Sequence, residues 1–388
     1  MKIDENLKQF ATEIQAEYID AAIKYGSFRK AARQLNVNHK TIHRAVIAVT
    51  KKAQIQGYSP DHDFTRPVPD MFMAKGVSTY YNKDGKPTAQ WVKASINDEK
   101  RFEAMKAAVE ALCDEVPRVE PIKAPKINDS ALATVYTLTD SHVGMLAWHR
   151  EAGEDWDLEI AERVLTGCFQ AMVDASPAAA TGVVNQLGDF LHSDGLSPVT
   201  PTSGHILDQD GRFSKVVEVA VRILRSVVSM ALAKHNKVIV IMAEGNHDMA
   251  SSVWLRVLFK TLFENEPRVT VIDTPLPYYC IQHGKTMLGF HHGHLKKNDQ
   301  LPILFASQFP KVWGETVKRY CHTGHRHHTE EKEHSGITVI QHPTLAARDA
   351  YAARGGWVAE RQVTSITYHM DYGQVARHTV TPEMLGSI

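Results

Sequence analysis

The chain has 388 residues with 44 basic and 44 acidic side chains, so no whole-chain field steers a partner, and at ~150 residues per domain two or three domains are expected. Hydrophobic residues at 43% and charged residues at 23% exclude a disordered chain, a collagen-like repeat and a coiled-coil rod as global descriptions. No apolar run approaches the ~18 residues of a membrane span, the charged start Met1-Lys2-Ile3-Asp4-Glu5 does not open a secretory signal, and Cys113, Cys168, Cys280 and Cys321 are too scattered for a disulfide framework, so a cytoplasmic protein without a membrane partner is expected.

Residues 1–58 read as a first domain of helices and short turns. Leu7 to Tyr25 is helical by period, with Phe10, Ile14, Ile19 and Ile23 spaced for one face. Gly26-Ser27 breaks it, Ser27 suits an N-cap for a helix Phe28–Leu35, and Asn36-Val37-Asn38 turns into a third helix carrying Ile42, Val46 and Val49. Ala31 and Ala32 let the last two helices cross closely, with Val37 buried in the turn between them, as a helix-turn-helix requires. Charge points the same way: residues 1–25 carry three basic and five acidic groups, whereas residues 26–58 carry seven basic groups and no acid. Such a face suits a phosphate backbone, with Asn38, His39, Lys40, Thr41, His43 and Arg44 offered to a groove of DNA. A three-helix bundle for protein contact is the plainer alternative. The pattern resembles helix-turn-helix DNA-binding domains of the bacterial and phage regulator type over about 45 residues.

Residues 59–118 form a connector. Val77–Tyr81 and Thr88–Lys93 read as strands joined across Asn82-Lys83-Asp84-Gly85, a hairpin signal. Tyr80, Tyr81 and Trp91 alternate there with lysines; aromatics are good strand formers, which is the reading taken over stacking on bases. After Asn97 a helix with Phe102, Met105, Val109 and Leu112 on one stripe is expected, for packing within the chain or in a homodimer. Residues 119–131, with Pro121 and Pro125, read as a linker.

Residues 132–388 hold the chemistry, with all but three of the 21 histidines at or after His142. Five short apolar strands each end in polar residues: Asp140-Ser141-His142, Gly188-Asp189, Gly245-Asn246-His247-Asp248, His291-His292-Gly293-His294 and His322-Thr323-Gly324-His325-Arg326-His327. Carboxylate, amide and imidazole donors without thiolate suit divalent cations of intermediate softness. Any one motif is weak, but five in this order are specific. His192 and Asp194 follow Gly188-Asp189 closely enough to support the site or touch substrate, and Asp208-Gln209-Asp210-Gly211-Arg212 resembles part of a calcium loop that lacks its last ligand. The tail with Arg348, Asp349 and Arg354 is expected to complete the second sheet.

Residues 132–345 resemble the calcineurin-like metallophosphoesterase superfamily. The resemblance implies an α/β fold, a two-sheet αββα sandwich, with two divalent ions at one end of the strands. It implies Asp140, His142 and His327 on one ion, Asp189 bridging both, and Asn246, His292 and His325 on the other. His247 would be the acid–base residue oriented by Asp248, and His292 is favoured over its neighbours by the family's His-Gly pattern. Likeness to the nuclease branch implies Mn2+, with Zn2+ or Fe equally compatible with the donors. The whole-chain arrangement also resembles proteins encoded by phages and prophages.

These readings converge on a metal-dependent phosphodiester hydrolase acting on nucleic acid, DNA rather than RNA, with a nuclease targeted by a helix-turn-helix as the expected activity. A phosphatase or phosphodiesterase of small nucleotides, or a DNA-binding regulator with the phosphoesterase domain as scaffold, are the alternatives.

Overall fold

The computed structural model describes residues 3–58, 72–82, 87–96, 117–126, 128–201 and 204–386. They belong to two compact units, Met1–Ala107 and Ala108–Ile388. The expected helix over Phe102–Leu112 lies outside the described residues.

In the first unit a 3-10 turn, Glu5–Phe10, precedes α1 (Glu13–Tyr25), α2 (Phe28–Gln34) and α3 (His39–Ile55). The single helix read over Leu7–Tyr25 is therefore two elements. Thr12 accepts from the Gln15 N–H while the Gln15 side chain accepts from the Thr12 N–H, and this capping box starts α1 afresh. The restart rotates the face: Ile19 and Ala22 are buried with Leu7 and Phe10, while Ile14 and Ile23 are exposed. Ala31 and Ala32 of α2 meet Ile42, Val46 and Val49 of α3 in the same core. Asn36 supplies the turn between α2 and α3 with a left-handed residue, φ 51°, which asparagine tolerates better than most side chains. Strands β1 (Phe72–Tyr81) and β2 (Pro87–Ile96) pair antiparallel, with Ser78 opposite Trp91, as the hairpin reading expects.

The second unit is a sandwich of two sheets. Strands β3 (Asp129–Leu138), β4 (Ala179–Gln186), β5 (Lys237–Met242) and β6 (Val269–Val271) run parallel in the first. The second contains β7 (Tyr279–His283), β8 (Thr286–Phe290), β9 (Lys318–Thr323), β10 (Glu330–His334) and β11 (Ile337–Gln341), ordered β10-β11-β9-β8-β7. Strands β12 (Val363–His369) and β13 (Gly373–Val380) do not join that second sheet, contrary to the expectation for the tail. They extend the first, with β12 antiparallel to β3, giving the order β13-β12-β3-β4-β5-β6.

Strand alternation builds the layers. Val135, Val183, Ile241, Leu288, Phe290 and Ile340 meet between the sheets. Residues of the opposite parity face outward: Tyr136 packs on Phe169 of the helix Leu158–Ala175, and Met287 and Cys321 pack on Leu301 and Phe305 of the helix Leu301–Gln308. Helix, sheet, sheet and helix follow in order, the αββα arrangement expected. No helix among the described residues is long and apolar enough to cross a membrane.

Candidate metal centre

Loops at the carboxyl ends of β3, β4 and β5 in one sheet and of β8 and β9 in the other carry the five polar motifs, so the site lies where the two sheets end together. Donor atoms of Asp140, His142 and His327 lie within 4.8 Å of one another, as do those of Asp189, His292 and His325. Each set draws on both sheets. His142, His192 and His247 form a third such set.

Backbone strain marks the same residues. Among the described residues, six other than glycine have positive φ, and five of them are Asp140 (51°), His142 (45°), Asp189 (48°), His325 (71°) and His327 (59°). This conformation costs roughly 1–3 kcal/mol per residue and persists only where the surroundings over-determine it. The glycines of the motifs make room for it. A Cβ on Gly245 would overlap Asp189, one on Gly324 would overlap Thr139 and Asp140, and one on Gly188 would fall 2.6 Å from His292 Nδ1.

Period two explains which histidine of the fourth motif enters the site. Leu288 and Phe290 face the gap between the sheets, and His292 continues that side with no solvent exposure. His291 turns to the other side, against Tyr278 and the Pro277 carbonyl. His294 lies 5.3 Å from the His292 ring, centroid to centroid, with both nitrogens buried and without partner. His292 Nδ1 donates to the Leu187 carbonyl at 2.8 Å, which aims Nε2 into the site, 3.2 Å from Asp189 Oδ2.

The charges of the site call for a cation. Burial alone would raise the carboxyls of Asp140 and Asp189, yet His327 and His292 beside the first, and His292 beside the second, hold both below the usual range. Burial alone would lower His292, but the two carboxylates push it up to about 10. Asn246 Oδ1 is buried with no hydrogen-bond partner, while Asp140 Oδ1 lies 3.1 Å from His327 Nε2 and His292 Nε2 lies 3.2 Å from Asp189 Oδ2, candidate ligands facing one another. Two buried carboxylates ringed by amide oxygen and imidazole nitrogen fit divalent metal binding in the chemistry of their donors.

The expectation that Asp248 orients the His247 ring is not met. The His247 ring donates from Nδ1 to the His192 carbonyl at 2.8 Å, so this carbonyl orients the imidazole. Asp248 turns away from it and accepts from the backbone N–H groups of Asp189, Phe190, Leu191 and Gly245. Burial, with Asp189 and Asp194 nearby, pushes its carboxyl up to about 7. Asp248 thus holds the loop that presents Asp189.

Other supports leave less trace in the sequence. Thr139 donates to Asp140 Oδ2 at 2.6 Å and the His325 N–H to the same oxygen at 2.9 Å. Thr344 donates to the Asp140 carbonyl at 2.6 Å. His192 Nδ1 lies 3.3 Å from His142 Nδ1, and Asp194 accepts from the N–H groups of Ala250 and Ser251 at the start of the helix Met249–Leu262. Asp210, in the loop resembling a calcium site, instead accepts from the Leu158 N–H, and its own N–H donates to the Gly144 carbonyl. His322 is buried in a chain with His342 and Tyr368, while Arg212 and His328 are exposed.

The candidate DNA contacts lie together at the start of α3. His39, Lys40, Thr41, His43 and Arg44 are exposed, and His43 sets its ring edge-on to Phe28 at 5.1 Å. Asn38 is occupied differently: its Oδ1 caps α3 by accepting from the Lys40 N–H at 2.9 Å. Ile47, one turn beyond His43, is 53% exposed and extends the stripe with an apolar residue that a search for charge does not find.

No family model and no curated protein matches the chain. Among solved structures it is similar to a conserved uncharacterized protein from Streptococcus pneumoniae TIGR4, a predicted phosphoesterase, at 14% identity over 66% of this chain and 92% of that one, with a TM-score of 0.31. It is similar to an archaeal phosphodiesterase at 12% identity over 64% and 99%, TM-score 0.33. It is also similar to zinc-bound Vps29 from Entamoeba histolytica at 15% identity over 64% and 99%, TM-score 0.26.

Proposed function

We propose that the protein is a metal-dependent phosphodiester hydrolase acting on nucleic acid, a DNA nuclease whose first unit supplies duplex binding. The observation that carries this reading is the pair of donor sets, each assembled from both sheets, with the buried Asn246 Oδ1 left unpartnered. Asp140, His142 and His327 would hold one ion and Asn246, His292 and His325 the other, with Asp189 shared. When bound, two such ions supply Lewis acidity toward the phosphate oxygens and a nucleophile at neutral pH; Mn2+ is the proposed metal.

The chain's own residues supply the rest. His247, fixed through Nδ1 on the His192 carbonyl, carries a proton at Nε2 toward the leaving sugar oxygen. Asp248 keeps the Asp189 loop rigid, and the exposed basic stripe of α3 lies along the phosphate backbone of DNA.

Incubation with Mn2+ and plasmid, single-stranded DNA or cyclic nucleotides tests the reading. Polynucleotide cleavage abolished by chelation is expected. Turnover confined to cyclic nucleotides would leave the metal chemistry and remove the nuclease assignment. Metal-independent DNA binding without any turnover would favour a regulator.

A further inference from the structure

Three large rings stand out on the second unit. Trp148, Tyr351 and Trp357 are 55%, 65% and 58% exposed, although each would gain roughly 1.5–3 kcal/mol from burial. They lie on segments that follow metal-centre motifs in the chain. The Met145 N–H donates to the His142 carbonyl, and Trp148 is six residues beyond His142, at most about 22 Å away along an extended chain. Thr344, whose hydroxyl holds the Asp140 carbonyl, opens the segment that carries Tyr351 and Trp357.

His205, Tyr351 and Trp357 form one connected group of rings, and Trp148 stands at the start of an adjoining helix. Tyr351 lies 5.3 Å from Trp357 and 6.0 Å from His205, centroid to centroid. The short helix Ala350–Arg354 is tied to the helix His149–Ala152 by the Arg354–Glu151 ion pair, and Arg348 donates to the Ala152 carbonyl. The Arg150 guanidinium stands 5.1 Å over the Trp148 ring. Arg354 and Arg361 nearby are each paired with an acid, whereas Arg150 forms no ion pair among the described residues.

We propose that Trp148, Arg150, His205, Tyr351 and Trp357 form a stacking platform for unpaired bases, so that the strand delivered to the metal centre is single-stranded nucleic acid or a frayed end. The inference rests on the nucleic-acid reading of that centre and names the form of its substrate. Every base presents a π-face, so exposed rings grip a strand without reading its sequence, while a cation beside a ring serves the adjoining phosphate. Bases are favoured over a protein partner because the surface sets a guanidinium over a ring face and is carried by the segments that follow the proposed phosphodiester centre in the chain.

The test uses the full chain in chelator, so that binding is read without turnover. The probes are a fluorescent thymidine oligonucleotide, an abasic oligomer of equal length and a duplex. Trp148→Ala, Tyr351→Ala and Trp357→Ala should each weaken the thymidine strand about tenfold or more. Binding of the abasic oligomer and the duplex should stay unchanged, Tyr351→Phe should bind as the unaltered protein does, and hydrolysis of bis-nitrophenyl phosphate with Mn2+ should persist in every variant. Equal affinity of all variants for the thymidine strand would overturn the platform while leaving the hydrolase reading in place. A shift from dimer to monomer on sedimentation of the variants would also overturn it, assigning the rings to a second copy of the chain. Absence of diester turnover by the unaltered protein would remove the hydrolase reading itself.

Discussion

The two units present their candidate functional residues in opposite ways. In the first, the residues from His39 to Arg44 belong to one helix, and the exposed ones rest on a core of Ile42, Val46 and Val49 that none of them enters. In the second, the candidate ligands come from five loops spread from Asp140 to His327, are mostly buried, and hold a left-handed backbone at five positions. A surface stripe can lose one side chain and keep its shape. A buried constellation fixed by strained backbone and close glycine contacts cannot, so the units should differ sharply in how they respond to single changes.

The largest effect is expected at Asp189, proposed as the shared ligand. Asp189→Asn removes a buried negative charge that both ions would share on that assignment, and turnover with Mn2+ should fall by orders of magnitude. The fold should hold, because the residue sits at a strand end and its N–H keeps Asp248 as partner. Metal analysis that still found two tightly held ions, with full activity, would break the contrast between a tolerant surface and an intolerant centre.

Next comes His247, whose value depends on the leaving group. A sugar hydroxyl needs a proton as it departs, whereas nitrophenolate does not, and general acid catalysis contributes ~10²–10⁴-fold. His247→Asn should lose that factor on DNA and keep a large share of its activity on bis-nitrophenyl phosphate, with metal content unchanged. Loss of a metal instead would make His247 a ligand, in keeping with its place beside His142 and His192.

What is legible in the sequence follows the same division. The five motifs can be read because each is local: a period-two strand delivers its last residues to a known end, as Leu288 and Phe290 deliver His292. The supports cannot, because they close over long separations. Thr344 reaches Asp140 across 204 residues, and Asp248 reaches the Phe190 N–H across 58. The placement of β12 and β13 escapes for the same reason, since pairing with β3 is a tertiary choice that no local pattern records. In the first unit the departure is local: the Thr12–Gln15 capping box stands in the sequence, and a helix drawn through it carries Ile14 and Ile23 onto a buried face they do not occupy.

A third experiment tests the surface half of the comparison. Lys40→Ala with Arg44→Ala should leave diester hydrolysis untouched and weaken duplex binding, lowering the salt slope by about 0.9 for each phosphate no longer neutralised. An unchanged slope would move the duplex surface elsewhere, with the β1–β2 hairpin and its exposed Trp91 the next place to look.

Acid should separate the units further. His235, hydrogen-bonded to Tyr136 and the Ala179 carbonyl, is held by burial at about 4, and burial lowers His342 to about 3, with Arg377 adding to the effect. Both folded values lie below the ordinary 6.5, so the unfolded chain takes up these protons first. Stability is then complete above about pH 6.5 and declines as pH falls toward 4 and 3, each imidazole withdrawing on the order of 3 kcal/mol. The described histidines of the first unit, His39 and His43, are exposed. Amide exchange across pH 7 to 4 should therefore show the second unit opening while α1–α3 stay protected; opening in the reverse order would sink the argument.

The smallest effect separates two roles for one residue. Asn38 is expected from the sequence among the groups facing DNA, yet its Oδ1 caps α3. Removing such a cap costs ~1 kcal/mol, a roughly fivefold change in local opening. Asn38→Ala should speed exchange of the first-turn amides of α3 by about that factor, and Asn38→Ser, which retains a capping oxygen, should restore the rate. Duplex affinity should follow the cap: weakened slightly in the alanine variant and recovered in the serine variant. If serine restored protection while duplex binding stayed as weak as in the alanine variant, the side chain would be touching DNA in addition to holding the helix, and the stripe on α3 would begin at its N-cap.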